Sequence, residues 1–449
     1  MPALNHNFYA LLKLALPLAF TGLVQSAVWF FETLFLARLG PDTLAAGSMV
    51  SWLFGTIVVI FFGTLSSINI LISHKQGASD RAGILLVVRD GFWLAVLFAL
   101  PTFLLFWNIA PLFLWVGQSP AVVSLAKAYL HAVAWGVLPN VITIAILEVI
   151  IGLGHTRLIL IINIFSVSLT IICSFVFIFG KLGIPSFGIA GAGWGVTISN
   201  WITMGILLSY VSISEIYKHY FSHLFKVTPT SYIMELFRIG APMGLMYCVE
   251  IAFFLALTLT MGLFGTQAMA ANQIALQYLG TIMAMIFSIA QAVSVRMGHL
   301  LGAGDKISAE HTAFTGVAVS MVFMVFIALC YWCFPTYLIS IDFNVKEPQN
   351  VTIVRLASEF LMVCALFQIF ESIRIALFGA LRSLKDTQFT LFISIFSFWG
   401  IALPVGYFFA THLKLEGVGL WWGMVMAASC SVVLLFWRFK TKMRTYLLS

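Results

Sequence analysis

The chain has 449 residues, of which 61% are hydrophobic, 15% aromatic and only 9% charged, with a mean hydropathy of +1.05. A soluble domain carries about a quarter charged residues, so a water-soluble fold is excluded and nearly every segment reads as lipid-embedded. The net charge of +7 does not indicate a nucleic-acid partner, because the 23 Lys and Arg are spread thinly between apolar runs instead of clustering on one face.

Stretches long enough to cross about 30 Å of hydrocarbon, each bounded by charges, Gly or Pro, predict twelve helices. The first six fall near 9–37, 43–72, 84–107, 119–151, 156–180 and 189–213. The run from Leu11 to Leu36 is too long for a signal-peptide core and has no cleavage pattern after it. The second six fall near 231–262, 267–298, 307–333, 350–380, 387–411 and 417–438. These predict an all-α polytopic membrane protein with an N-terminal lobe over 1–213, a cytoplasmic linker over 214–230 and a C-terminal lobe over 231–449.

Sixteen Lys and Arg, among them Lys75, Arg81, Arg157, Lys226, Arg296, Arg382 and Arg438, lie on one side of this arrangement. Only Arg38, Lys181, Lys346 and Lys414 lie in loops on the other. The asymmetry predicts that both termini face the cytoplasm. Cys173, Cys248, Cys364 and Cys430 sit within apolar runs as small hydrophobes. Cys330 and Cys333 form a CxxC pair without the nearby His and Cys partners of a zinc site.

At an offset of 225, residues 11–80 align without a gap on 236–305, and seventeen of these seventy positions are identical. Pro17 matches Pro242, Gly40 matches Gly265, and His74, Gly77, Ala78 and Asp80 match His299, Gly302, Ala303 and Asp305. Farther on, Leu153–Thr156 aligns with Leu384–Thr387 at offset 231, the six extra residues falling around Ile341 to Pro348. Each copy holds six spans, an even number, so both enter the membrane in the same direction. That predicts two parallel lobes related by a pseudo-two-fold axis along the membrane normal, with a substrate cavity between them. Pro17 and Pro242 each free a carbonyl about two turns into a helix and are candidate hinges.

Most of the sixteen acidic residues lie in loops, and Asp90, Glu148 and Glu359 lie near span ends, from which the interface is in reach. Glu32, Glu250 and Glu371 remain at depth. An ionised carboxylate near mid-bilayer costs roughly 2.5–3.5 kcal/mol on insertion scales, which makes these three the candidate ion-coupling residues. Gln25 shares a face with Glu32 and is the repeat-mate of Glu250. Tyr247 lies one turn before Glu250, and Gln368 and Arg374 flank Glu371 at three residues on either side. Asn272, Gln273 and Gln277 add polar groups to the eighth span. Met243, Met246, Phe254 and Phe367 are candidates for lining a substrate surface, although such residues serve more often as plain packing. Glu371 and Arg374 also read as a structural ion pair.

The twelve spans, the Pro-containing first and seventh helices, the Ala-Ala-Asn-Gln-Ile-Ala run at 270–275 and the Leu381–Thr387 segment together resemble the multidrug and toxic compound extrusion (MATE) transporters. Acids in the first, seventh and tenth helices are similar to the NorM-like branch. The fifth helix carries Asn163, Ser166, Ser168, Thr170 and Ser174 but no carboxylate, unlike the DinF-like branch. The resemblance implies a multidrug antiporter of the bacterial inner membrane that exports cationic or amphiphilic organic compounds in exchange for Na⁺ or H⁺. It implies no other cofactor or metal, no enzymatic activity, no nucleic-acid partner, contact with membrane lipids and a monomeric state. Two features depart from the family's pattern. Helices one and ten commonly bear Asp, where this chain has Glu32 and Glu371, and Arg374 is able to occupy the place a Na⁺ would take. A flippase for a lipid-linked precursor is the alternative, but it calls for a basic cavity, and Arg374 alone is basic at depth. A membrane enzyme calls for a catalytic constellation, and none of the nine His lies in a mid-span cluster.

Overall fold

The computed structural model describes residues 2–224, 232–343, 345 and 347–448. Residues 225–231 of the expected linker, Lys226 among them, lie outside the described residues, as does Lys346. Among the described residues every regular element is helical. Eleven helices are long and apolar enough to cross a membrane, and a twelfth span is made by a bent pair. Side chains such as Leu97, Ile161, Val322 and Phe326, all more than 60% exposed, form the lipid-facing surface that such a chain requires.

The bent pair occupies the predicted fourth span, where Pro120–Ala134 and Val137–Gly152 meet at 51°. The cause lies in the sequence. Pro139 has no N–H to give to the Trp135 carbonyl four residues back. That carbonyl instead accepts from Trp201 Nε1 at 3.0 Å. One turn earlier, the Ala132 carbonyl takes Thr197 Oγ1 at 2.7 Å. The break is therefore stabilised by the sixth span, Ile189–Ile213, which supplies the missing donors. Pro17 and Pro242, by contrast, lie within continuous helices, Pro2–Ala37 and Ile233–Met261.

Repeat-mates build the same local devices. Gly40 and Gly265 take φ of +117° and +108°, values that favour glycine, ahead of helices starting at Pro41 and Thr266. Asp80 and Asp305 cap the third and ninth spans, accepting from Gly83 N and Ser308 N at 2.8 and 3.0 Å. The Lys75 ammonium, 2.8 Å away, and the Gly83 amide hold the half-buried Asp80 carboxyl below the usual carboxylate range. Its folded-state value is lowered, so its stabilisation is complete at neutral pH and is lost as pH falls through that lowered value. Replacing Asp80 with alanine should remove the cap at a cost of about 1 kcal/mol, read as a lower melting temperature whose deficit against wild type shrinks in acid.

The chain forms two compact units. One runs from Phe20 to Ala241, and the other holds the residues before Phe20 and those from Pro242 onward. The expected boundaries at 213 and 231 thus differ from the observed ones. The first turns of helix one group with the C-terminal half, while residues 233–241 of helix seven group with the N-terminal half. Both divisions fall within three residues of the matched prolines Pro17 and Pro242. In the second of these units Leu11 and Ala15 join the same core as Met246, Phe253 and Phe360. In the first, the Thr64 carbonyl lies 2.0 Å from where a Cβ on Gly240 would stand.

Within the unit that starts at Pro242, the tenth span Val351–Ser383 is the central helix. It packs most closely on the eighth span, Thr266–Gly302. A Cβ added at Gly379 would come within 2.3 Å of the Ala290 carbonyl oxygen, a backbone atom that cannot swing away. Gly379→Ala should therefore destabilise the unit by about 1–3 kcal/mol through overpacking, which the melting temperature of the purified protein would report.

Candidate functional site

The tenth span is buried almost all round from Phe360 to Ser383, so any charge on its inner turns must be satisfied by protein. Glu371 and Arg374, three residues apart, stack on one face. Arg374 Nε donates to Glu371 Oε2 at 2.8 Å, and Nη2 donates to Oε1, a two-point fork. The remaining arm, Nη1, donates to Glu250 Oε1 on the seventh span at 2.9 Å and to Ser394 Oγ on the eleventh at 3.2 Å. Ser394 Oγ in turn donates to the same Glu250 oxygen at 2.9 Å. The guanidinium is flanked by the Phe378 and Phe398 rings at 4.6 and 4.8 Å, placements that favour a cation. Side-chain exposure is 1% for Arg374, 7% for Glu371 and 9% for Glu250.

The eleventh span delivers Ser394 and Phe398 through an unusual backbone. Immediately after Ser394 the helix widens into a π-helix over Ile395–Ala402, in which Leu403 N–H reaches the Phe398 carbonyl five residues back. Such segments are rare and concentrate at functional sites. Trp399 Nε1 donates to the Val249 carbonyl at 3.2 Å, which ties the widened turn to the residue beside Glu250. Phe253 packs against Phe398 in a tilted pair with ring centres 4.7 Å apart. The repeat-related stretch 164–171 belongs to an unbroken α-helix, Thr156–Phe179. The wide turn is thus confined to the half that carries the charges.

The same offsets locate a neutral counterpart in the other half. Glu250 corresponds to Gln25, Glu371 to Asn140, Arg374 to Thr143 and Ser394 to Asn163. Gln25 Nε2 donates to Asn163 Oδ1 at 3.0 Å, so the bond between helices one and five repeats that between Glu250 and Ser394. The fold therefore repeats this one bond between helices, while Thr143 Oγ1, at the place of Arg374, is buried without a hydrogen-bond partner among the described residues.

The structure brings Glu250, Glu371 and Arg374 together, whereas Glu32 lies in the other unit, half-buried, with its Oε1 enclosed and lacking a hydrogen-bond partner. Tyr247, one turn from Glu250, accepts from Arg382 Nη2 at 2.9 Å. Asn272 and Gln368 are fully buried with every amide atom unpaired, while Gln273 and Gln277 are exposed on another face of their helix. Met243, Met246 and Phe367 have no accessible surface. The expectation that these three line a substrate surface is corrected, since apolar packing encloses them, and Phe254 alone of the four is partly exposed. Two further expectations change. Glu148 and Asp90 are 1% and 0% exposed and do not reach the interface. Asn69 donates to Glu148, and Asp90 pairs with Arg89 at 2.8 Å and accepts from the Tyr232 amide at 2.8 Å. Glu359 stays accessible near Arg355.

Sequence reasoning overlooked Ser394, Phe378, Phe398 and the role of Arg382. Ser394 was within reach, because offset 231 pairs it with Asn163, a polar residue on the mate of its own helix. The two phenylalanines carry no such mark among 42 of their kind.

Comparison with known proteins agrees with this architecture. The MatE family model matches twice, over residues 17–176 and 242–408, and the two matches open at the repeat-mate prolines. The "Multidrug resistance protein NorM" of Burkholderia vietnamiensis is 31% identical over 98% of this chain and 95% of its own length. A "Probable multidrug resistance protein NorM" of Pseudomonas putida is 29% identical over 98% and 95%. Among solved structures, the "eukaryotic MATE transporter AtDTX14" superposes with a TM-score of 0.84 at 18% identity, over 99% of both chains. An outward-facing "multidrug resistance MATE family transporter" superposes at 0.87 and 18% identity, over 98% and 96%.

Proposed function

The chain belongs to the MatE family, and on that premise we propose that it is an inner-membrane antiporter that exports cationic or amphiphilic organic compounds in exchange for an inward-moving monovalent cation. The observation that carries this reading is the buried Glu250–Arg374–Glu371 cluster. With both acids ionised it bears one negative charge inside a lipid-embedded unit, a burden that such a chain retains for function. A membrane potential of about 100 mV supplies roughly 2.3 kcal/mol per charge moved, enough to concentrate a solute tens of fold. Glu32 supplies a third acid, in the other unit. The sixteen-to-four distribution of basic residues supports cytoplasmic termini, and the names borne by the bacterial relatives support drug-like cargo.

The test is uptake of ethidium into proteoliposomes under separately imposed Na⁺ and H⁺ gradients. Wild-type protein should accumulate the dye under at least one gradient, and Glu250→Gln should fall to the level of empty vesicles. If no organic cation moves under either gradient while a lipid-linked phosphate does, a flippase replaces the antiporter.

A further inference from the structure

We propose that the exchangeable cation of the Glu250–Arg374–Glu371 cluster is a single proton and that Arg374 is the residue that excludes Na⁺. The inference rests on the antiporter reading, because it names the ion that this site handles. A hard cation needs several converging oxygens with free lone pairs. Three of the four carboxylate oxygens here are already engaged: both oxygens of Glu371 and Oε1 of Glu250 accept from the guanidinium. Oε1 of Glu250 also accepts from Ser394. The guanidinium has only donors, and it fills the space between the two acids with a fixed positive charge.

A proton has no such requirement. It needs one oxygen, and Glu250 Oε2 is the carboxylate oxygen of the cluster to which no hydrogen bond is made among the described residues. Glu250 is also the more accessible acid, at 9% against 7%. One proton there takes the cluster from net −1 to neutral, so the charge count sets the stoichiometry at one.

No other titratable side chain bonds to the three. Glu235, Arg238, Tyr247 and Cys248 share the helix of Glu250; Glu235 and Arg238 lie in its first two turns, and Tyr247 is engaged by Arg382. On the tenth span and the elements packed around it, the remaining charged groups lie toward one end or the other of their helices. Near the end where Arg382 lies are Arg296 and His299 on the eighth, Lys306, Glu310 and His311 on the ninth, and Lys385, Asp386, Arg438, Lys440, Lys442 and Arg444 at the eleventh and twelfth, while Arg355 and Glu359 on the tenth, His412 after the eleventh and Glu416 on the twelfth lie toward the other end. Asp386 pairs with Arg438 at 2.7 Å and Glu310 with Lys440 at 2.7 Å. The others are phenols and thiols, neutral at physiological pH.

Two measurements on the detergent-purified protein, neither needing a transported compound, test this apart from the drug reading. Tryptophan fluorescence, to which Trp399 beside Glu250 contributes, should show a pH transition in wild type that disappears in Glu250→Gln. Equilibrium binding of radioactive Na⁺ should show no component removed by Glu250→Gln. Arg374→Gln should acquire such a component, with Na⁺ raising its melting temperature while wild type does not respond. Na⁺ binding in wild type that Glu250→Gln abolishes would overturn the proposal, as would a wild-type pH transition that is absent or survives Glu250→Gln. Na⁺ binding that survives Glu250→Gln belongs to another site and, with the pH transition lost, counts in favour. Ethidium transport failing while these results hold would reject the cargo and leave the ion assignment standing.

Discussion

Arg374→Leu should be the most damaging single substitution in the C-terminal half, lowering stability by about 3–5 kcal/mol, the range for stripping one partner from a buried ion pair. The reason is charge balance. Wild type holds two acids against one base, all at least nine-tenths buried. Removing Glu250 or Glu371 leaves a balanced pair, since Arg374 bonds each of them separately. Removing Arg374 leaves two carboxylates facing each other without a cation. It also strips the Phe378 and Phe398 faces of the charge they flank. The expected order of melting temperatures is therefore wild type, then Glu250→Gln and Glu371→Gln close together, then Arg374→Leu well below. A measured order in which Arg374→Leu melts no lower than Glu371→Gln would refute the charge-balance account.

The second large effect is functional. Because Gln25 and Asn163 already bond at 3.0 Å in the repeat-related place, the fold accommodates an amide pair there. Glu250→Gln combined with Ser394→Asn copies the neutral half into the charged one and leaves Glu371–Arg374 as a balanced fork. This double variant should fold and melt near wild type, yet lose gradient-driven transport entirely. Transport above one-tenth of wild type would mean that Glu250 is not the coupling acid. Together the two experiments separate the stability of the cluster from its use, because Arg374→Leu strikes the first and the double variant the second.

The membrane class, the number of spans and the duplication were legible in the sequence because each follows from a local or periodic property. Hydrocarbon thickness sets span length, and an alignment at constant offset exposes the repeat. The buried acids Glu250 and Glu371 were legible for a related reason, since charge in a lipid-embedded helix is expensive wherever the helix packs. Even the fork between Glu371 and Arg374 follows from a spacing of three residues on one helix.

Contacts between distant elements are another matter. That Arg374 also reaches Glu250, 124 residues away, depends on how the seventh and tenth spans pack. That Ser394 and Phe398 meet the guanidinium depends on their helix, and nothing in the composition of residues 395–402 announces its π-helical turn. Met243, Met246 and Phe367 bear the same apolar character whether they line a cavity or fill a core, so burial alone decided their role. Glu148 and Asp90 lie at span ends that suggest solvent, and the tertiary fold enclosed them with Asn69, Arg89 and the Tyr232 backbone. The sequence by itself determined which residues are costly to place in lipid. The tertiary structure decided how that cost is met, because pairing depends on distances between helices that no local pattern encodes.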